Sequence, residues 1–192
     1  MIFDPTEKPF SEIHKLMIGS IVPRPIALVS TTSKDGNNNV APFSYFNGVC
    51  SNPPTIMFAP ARRGWDGHEK DTLINIRNNQ EFVINIVSES FAEKMVKCST
   101  DFDPNIDEFQ VSGLTPESSS KVSPPKVKES KINLECKLDQ IVEIGDGKAG
   151  SGFVVLGTIV LFHIDDDIYE DGHILLDKLE PLGRLAGNWY TR

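Results

Sequence analysis

A group of cationic residues precedes a predicted helix in the first half of the sequence. Arg62 and Arg63 begin the polar segment ARRGWDGHEKDT, and Lys70, Asp71 and Thr72 end it. The first N–H groups of a helix and the helix dipole favour a negatively charged group, and Thr72 could add a hydroxyl donor. The segment therefore predicts an anion site, although an ordinary N-cap beside a solvated arginine loop would use the same residues.

A second group of candidate residues lies on a predicted strand. The sequence APFSYFN places Ser44 and Asn47 beside Tyr45 and Phe46. Because side chains alternate along a strand, Ser44 and Phe46 should face one side and Tyr45 and Asn47 the other, unless a bulge intervenes. One of these pairs could line a pocket, and a purely structural strand explains the pattern equally well.

Other residue types argue against metal, thiol and dinucleotide sites. The four histidines are scattered, and the three cysteines form no C-x-x-C pair. The acidic run 165–167 lacks the spacing of a calcium loop. The glycines Gly145, Gly147 and Gly150 lie between two predicted strands, where no helix can provide the amide ring of a dinucleotide site. We therefore expect no metal site.

Length and charge narrow the class of protein. The 192 residues carry 19 basic and 27 acidic side chains, for a net charge of −8. No basic surplus is left to bind a nucleic-acid backbone, and no apolar run reaches the roughly 18 residues of a membrane helix. The first ten residues, MIFDPTEKPF, do not resemble a signal peptide. We expect one cytoplasmic domain over 1–192 that binds neither nucleic acid nor membrane.

The elements that must position these residues are mostly strands. Short apolar and β-branched runs bounded by turn residues predict strands at 24–32, 40–50, 54–60, 81–87, 132–145 and 151–164, with a short hairpin in 165–176. Helical spacing of apolar residues predicts helices at 9–19, 70–79 and 88–98, with Ser11, Asp71 or Thr72, and Ser90 with Glu93 as their capping residues. The loop-like segment 99–131 is an excursion within the same domain. This pattern predicts an antiparallel barrel.

Several blocks, in order, resemble one known family. They are RPIALVST, G-x-x-N-x-APFSYFN, KDT-x-x-N-I, EFVINIV, EF-x-x-SGLTP, EC-x-L and LGRLAGNWY, which together cover almost the whole chain. The sequence is thereby similar to the flavin reductase-like family of FMN-binding split barrels, which includes the flavoredoxins and the nitrilotriacetate monooxygenase component B proteins.

The resemblance implies a fold and a set of ligand contacts. The fold would be mainly β, a six-stranded antiparallel Greek-key split barrel with a few flanking helices, in a homodimer that holds FMN near its interface. The family motifs imply these contacts: Thr31 and Thr32 beside the flavin ring, Ser44, Tyr45, Phe46 and Asn47 on the ribityl chain and ring, Lys70, Asp71 and Thr72 with Arg62 and Arg63 around the phosphate, and Arg184 and Tyr190 reaching in from the partner subunit.

The resemblance also implies an activity. The chain would be an NAD(P)H:flavin reductase that supplies reduced flavin or electrons to a partner monooxygenase or another electron-acceptor protein. Because the flavin carries the chemistry, no catalytic side chain is expected. Two alternatives stay open at this point: a flavoredoxin-like electron carrier that holds FMN tightly, and a flavin-binding module without enzymatic activity.

Overall fold

Most of the chain forms antiparallel strands with a few short helices around them. The computed structural model describes residues 1–103 and 105–192; Pro104, in the predicted excursion, lies outside the described residues. The helices are α1 (Phe10–Ser20), α2 (Asp71–Asn79), α3 (Ala92–Lys97), α4 (Glu108–Ser112) and α5 (Leu176–Leu179), with 3-10 turns at Pro5–Glu7, Glu89–Phe91 and Asp166–Ile168. The strands are β1 (Arg24–Pro25), β2 (Ala27–Thr32), β3 (Asn38–Phe43), β4 (Phe46–Ser51), β5 (Pro54–Phe58), β6 (Glu81–Ile86), β7 (Pro116–Glu117), β8 (Lys126–Val127), β9 (Ile132–Ile144), β10 (Gly152–Ile164), β11 (Tyr169–Glu170), β12 (His173–Ile174), β13 (Gly183–Arg184) and β14 (Tyr190–Thr191).

The main sheet curls into a barrel. Its seven strands run in the order β3-β2-β6-β9-β10-β5-β4, and every neighbouring pair is antiparallel. The two edge strands, β3 and β4, are separated in sequence only by Ser44 and Tyr45. Because two residues cannot span an open seven-stranded sheet, its edges must meet at this point. The predicted mainly β split barrel is confirmed, with a main sheet of seven strands where six were expected.

Two apolar clusters lie on opposite faces of β2 and β6. The barrel interior holds Phe58, Phe82 and Ile84, all fully buried, together with residues of α2. The outer face contributes Leu28 and Val87 to a second cluster, which is completed from α3, α4 and the segment 114–127. Residues 109–127 of the predicted excursion thus pack on the barrel, within the same domain. Both faces of β6 are consequently buried.

A fully buried asparagine fastens this covering segment to the barrel. Asn85 on β6 donates through Nδ2 to the carbonyl of Leu28 at 2.9 Å and to Ser30 Oγ at 3.1 Å. Its Oδ1 accepts from the N–H of Val127 and from Nδ2 of Asn133, each at 2.8 Å. All four hydrogen-bonding positions of the amide are therefore used inside the protein.

The structure revises several predicted boundaries. Neither Asp71 nor Thr72 caps α2: Lys70 occupies the N-cap position with extended backbone and makes no side-chain capping bond, because an ammonium group cannot accept a hydrogen bond. The Thr72 hydroxyl is bonded to Asn39. Pro9, not Ser11, precedes α1. The strand predicted at 40–50 is divided into β3 and β4, and the helix predicted at 88–98 begins as a 3-10 turn before α3. In the described part of the chain, no helix is long and apolar enough to span a membrane.

A buried carboxylate provides a second attachment for the covering segment. Glu135 on β9 is fully buried and accepts the N–H groups of Ser120 at 2.7 Å and Lys121 at 2.6 Å, while His163 Nε2 lies 2.5 Å from Oε1. Burial pushes the pKa of Glu135 up, but these N–H groups and His163 outweigh it, so the pKa lies below its ordinary value of 4.5. The native state therefore favours the ionised carboxylate.

We expect the change Glu135→Gln to lower the free energy of unfolding by about 1–3 kcal/mol at pH 7, because a charge-assisted acceptor is lost. A carboxyl with a lowered folded-state pKa contributes stability above its unfolded pKa of 4.5, and that contribution is lost as the pH falls through the folded value. The difference between parent and variant should therefore shrink below pH 4.5. Urea unfolding at several pH values measures it, with the exposed Glu170→Gln as a control. Equal stability of parent and Glu135→Gln at neutral pH would contradict the assignment.

Candidate functional site

A cavity of about 250 Å³ opens beside the first turn of α2. It is bounded by β3, the segment that follows β5, the start of α2, the segment that follows α3, and the start of α4. Its lining consists of Asn39, Ala41, Pro42, Phe43, Ala61, Arg62, Arg63, Gly64, Lys70, Asp71, Thr72, Cys98, Ser99, Thr100, Asp101, Phe102 and Glu108. All five predicted anion-site residues thus lie around one space, which we call the anion cavity.

Apolar spacing within α2 fixes the position of its first turn. Leu73 and Ile76, three residues apart, are buried in the barrel interior. Thr72 is also buried and donates from Oγ1 to Asn39 Oδ1 at 2.8 Å, so the helix start is attached to β3. The N–H groups of Asp71 and Thr72 belong to the first turn, where no preceding helical carbonyl is available to accept from them. The positive end of the α2 dipole therefore faces the cavity.

The segment that carries the two arginines is held by backbone hydrogen bonds between residues 60–62 and the start of β10. Arg62 N–H donates to the Ser151 carbonyl at 3.0 Å, and Phe153 N–H donates to the Pro60 carbonyl at 3.0 Å. A Cβ atom at Gly152 would lie 3.0 Å from that Pro60 oxygen, so a glycine here permits the close approach. The Arg62 guanidinium lies over the Phe153 ring, 4.9 Å from its centroid.

Carboxylates hold the cationic groups at the cavity edge. Arg63 Nη2 lies 2.9 Å from Asp71 Oδ2, and Lys70 Nζ lies 2.5 Å from Asp101 Oδ1. Arg62 Nη2 lies 2.7 Å from Glu143 Oε1. Each cation therefore has a carboxylate partner that orients it, and a ligand anion would have to share the cation with that partner.

Two arginine N–H groups provide a direct indication that an anion fits. The Nε atoms of Arg62 and Arg63 are buried and have no hydrogen-bond partner among the residues that the structure describes. A buried donor without an acceptor is costly, and native proteins usually satisfy it with protein, water or ligand. A phosphate oxygen is an acceptor of suitable charge for guanidinium groups. The donor set of the cavity thus suits a phosphomonoester.

Two carboxyl groups of the cavity have shifted pKa values. Burial pushes the pKa of Asp101 up, but the hydrogen bond and charge of Lys70 outweigh it, so the pKa lies below its ordinary value. Burial raises the pKa of Glu108 from 4.5 to about 7, even though the N–H of Val40 donates to Oε2 at 2.7 Å and opposes the rise. Asp101 is therefore ionised at neutral pH, whereas Glu108 changes its charge there.

The predicted strand residues flank the anion cavity on two sides. Ser44 lines a space of about 190 Å³ with Arg184 and Tyr190 of the same chain, and this space shares Pro42 and Ser99 with the anion cavity. Tyr45 lines a more apolar groove of about 570 Å³ beneath α1, which shares Ala61, Arg62 and Gly64 with the anion cavity. Ser44 and Tyr45 thus face different spaces, but they lie in the bend between β3 and β4, so the alternation predicted for one continuous strand does not place them.

The remaining predicted residues do not gather around one space. Phe46 packs against the barrel interior, and Asn47 is exposed, with Oδ1 accepting from the Gly48 N–H at 2.9 Å. Thr31 is buried and donates to Asn39 Oδ1 at 3.3 Å, and Thr32 donates to Asn38 Oδ1 at 3.1 Å. The two threonines therefore support the asparagines of β3, one of which, Asn39, lines the anion cavity.

Asn39, Asp101 and Glu108 also bound the anion cavity, but they were not among the site residues predicted from the sequence. Asn39 belongs to the G-x-x-N motif, so its signal was present in the sequence. Asp101 and Glu108 lie in the segment with the most loop-like composition, and only the packing of that segment against β3 brings them to the cavity. Among the described residues, no group of three or more His, Cys, Asp or Glu side chains is arranged to hold a metal ion.

Comparison with known proteins identifies similar chains. A family model described as "Flavin reductase like domain" matches residues 18–182. An uncharacterised protein of Aquifex aeolicus is 41% identical over 94% of this chain and 89% of its own length. The crystal structure of nitrilotriacetate monooxygenase component B from Bacillus cereus has a TM-score of 0.95 and 36% identity, covering 100% of this chain and 94% of that one. The structure of Pseudomonas fluorescens 2-nitrobenzoate 2-nitroreductase NbaA has a TM-score of 0.88 and 31% identity, covering 100% and 91%.

Proposed function

We propose that this chain, which belongs to the flavin reductase-like family, is an FMN-binding oxidoreductase that transfers electrons from NAD(P)H through its flavin. The observation that carries this proposal is the anion cavity. It joins the start of α2 to Lys70 and to two arginines whose buried Nε groups have no acceptor in the described part of the chain. Such a donor set matches the nearly doubly charged phosphate of FMN.

The phosphate contacts follow from the positions of the donors. Lys70 and the first N–H groups of α2 would bind phosphate oxygens, with Thr72 sharing its hydroxyl between Asn39 and the ligand. Asp71 would not contact the phosphate through its carboxylate, because it pairs with Arg63 and orients that guanidinium. Arg62 would contribute mainly charge, since its terminal nitrogens already bind Gly67 and Glu143.

The rest of the flavin would extend along the segment between β3 and β4. A cavity of about 250 Å³ is smaller than the usual pocket of a ligand of this size, roughly 300–1,000 Å³. The two adjoining spaces flank Ser44 and Tyr45, which supports contacts of Ser44 to Asn47 with the ribityl chain and ring. Thr31 and Thr32 would act near the ring through Asn39 and Asn38.

The protein would contribute binding and orientation instead of an acid or a base. When bound, the flavin supplies the centre that accepts hydride from the nicotinamide. The chain's own cations would neutralise the phosphate, and its apolar groove would shield the ring from water. This division of tasks agrees with the expectation that no side chain is catalytic.

Assembly and partners belong to the same proposal. Helix α1 has no buried residue and exposes Phe10, Leu16 and Met17, an apolar face that a second copy would cover in a homodimer. The pairing of β1 with β13 supports one domain over 1–192, and a cytoplasmic location is part of the same proposal. The similarity to a monooxygenase component B supports a partner monooxygenase or another electron acceptor that takes electrons from the flavin.

A visible absorption spectrum tests the function directly. Protein reconstituted with FMN should retain the yellow chromophore through gel filtration or equilibrium dialysis, and the flavin absorbance should bleach when NADH or NADPH is added without oxygen. Bleaching with continued NAD(P)H oxidation in air supports the reductase. Retained FMN with negligible NAD(P)H turnover would favour an electron carrier, reversible FMN binding with neither activity would favour a binding module, and absence of FMN binding would overturn the proposal.

The similarity to a 2-nitrobenzoate 2-nitroreductase favours a second candidate, direct reduction of a nitroaromatic acceptor. The groove beside Tyr45 has a largely apolar lining from Phe10, Ile13 and Met17, which suits a planar ring. NAD(P)H oxidation by the FMN-loaded protein without oxygen should then depend on added 2-nitrobenzoate. Equal rates with and without the nitroaromatic compound would exclude this activity.

A further inference from the structure

A second cavity adjoins the anion cavity on the side of α4. It has a volume of about 320 Å³ and is lined by the β2–β3 turn, one side of α2, and the residues Asp103, Asn105, Ile106 and Glu108. Asn39, Asp71 and Glu108 line both cavities and therefore form the wall between them. A ligand that extends from the phosphate position into the second cavity must pass this wall.

Among the carboxyl groups that line the anion cavity, Glu108 is the one without a cationic partner in the described part of the chain. Asp71 pairs with Arg63, and Asp101 pairs with Lys70. Glu108 is 6% exposed, and no ion pair joins it to a Lys, Arg or His side chain within residues 1–103 and 105–192. Its Oε2 is fixed by the Val40 N–H at 2.7 Å. The negative charge of Glu108 is thus directed at whatever occupies the two cavities.

We propose that Glu108 is a specificity-determining residue that selects a flavin ending in a single phosphate, FMN, against the dinucleotide FAD. The inference rests on the proposed function, because it assumes that the anion cavity binds the flavin phosphate. FMN places one phosphate beside Lys70 and the arginines. FAD carries a second phosphate directly bonded to the first, and toward α4 that group would meet the Glu108 carboxylate in a cavity whose lining also holds Asp35, Asp71 and Asp103 beside Lys34.

The charge of Glu108 depends on its surroundings. Burial raises its pKa to about 7. Asp71 on α2 and Asp101 after α3 add to the rise, and Lys70 opposes it. The thiol of Cys98 on α3, whose own pKa burial raises to about 11, is uncharged near neutral pH. Selection against FAD should therefore be stronger at pH 8, where Glu108 is ionised, than at pH 6, where it is protonated.

The test measures the Kd of FMN and of FAD by isothermal titration calorimetry for the parent, Glu108→Gln and Glu117→Gln at pH 8. Glutamine keeps an oxygen for the Val40 N–H and removes the charge, while Glu117 is an exposed carboxylate that lines neither cavity. We expect the parent to prefer FMN by at least about tenfold and Glu108→Gln to lose most of this preference through tighter FAD binding. Glu117→Gln should match the parent.

An unchanged FMN-to-FAD ratio in Glu108→Gln would overturn the inference and leave the proposed function standing, whereas a parent that binds neither flavin would overturn the proposed function. A loss of folding would weaken both ligands together, so the ratio separates selection from a structural role. If Glu108→Gln does not fold, the FAD affinity of the parent supplies the answer, because the phosphates of FAD do not titrate between pH 6 and pH 8. The Kd of FAD should rise from pH 6 to pH 8 as Glu108 ionises, and a Kd independent of pH would refute the role of Glu108.

Discussion

The change Lys70→Ala is expected to weaken FMN binding by about 10- to 150-fold, which corresponds to the roughly 1.5–3 kcal/mol of a hydrogen bond to a charged group. Lys70 is the N-cap residue of α2 and lines the anion cavity together with the first-turn residues Asp71 and Thr72. Removal of the ammonium should leave the absorption spectrum of bound flavin unchanged at saturating FMN, because Lys70 would contact the phosphate and not the ring. Titration of FMN into the apoprotein, followed by quenching of flavin fluorescence, measures the change.

The ion pair between Lys70 and Asp101 requires a matched variant. In Lys70→Ala the Asp101 carboxylate is left without its partner and would repel the phosphate. The double change Lys70→Ala with Asp101→Asn should therefore recover part of the lost affinity, and the recovery measures the repulsion. Lys148→Ala, an exposed lysine on the β9–β10 turn, provides the control. Identical FMN affinity in parent and Lys70→Ala would contradict the binding of the phosphate at this end of α2.

The change Asn85→Ala is expected to lower the free energy of unfolding by about 3–5 kcal/mol, because it leaves buried partners on three segments without hydrogen bonds. The carbonyl of Leu28 and the N–H of Val127 are backbone groups that cannot turn toward water. The covering segment should also become locally mobile, since Val127 is anchored through Asn85. Urea unfolding gives the stability, and hydrogen exchange at Val127 gives the local effect.

Asn133 offers an internal comparison for this network. It donates to Asn85 Oδ1 at 2.8 Å and to the Val127 carbonyl at 3.1 Å. The double change of Asn85 and Asn133 to alanine should cost less than the sum of the single changes, because both act on the same contacts. Asn188→Ala, at an exposed asparagine, should leave stability within about 0.5 kcal/mol of the parent. Additive effects of Asn85 and Asn133 would show that the two amides do not form one network.

The strands could be predicted because their sequence pattern is local. Alternation in EFVINIV predicted β6, and the β-branched run of RPIALVST predicted β2. The turn KDGNNN was recognisable from its glycine. In the structure Gly36 adopts a φ of 86°, which glycine allows at little cost. The division of 40–50 into β3 and β4 was not predicted, since it depends on closure of the sheet and not on residue type.

The gathering of the five predicted residues around the anion cavity was predictable for a different reason. Cations, a hydroxyl residue and a helix start are adjacent in sequence from Arg62 to Thr72, so chain proximity alone indicated the site. Glu108 is distant in sequence from this motif and reaches the cavity through the packing of α4 against β3. The hydrogen bonds of Thr31 and Thr32 with asparagines could not be read from the sequence either, because they depend on the register between β2 and β3.

The short sheet formed by β1, β13 and β14 has a consequence for the carboxyl end of the chain. Arg24 of β1 donates to the Leu185 carbonyl at 3.0 Å and pairs across the sheet with Arg184. A protease that removed residues 183–192 would remove one side of the lining of the space beside Ser44. The Arg24 guanidinium would also lose one hydrogen-bond acceptor. Digestion at the tail would thus remove part of the proposed ligand site and leave the strands of the barrel intact.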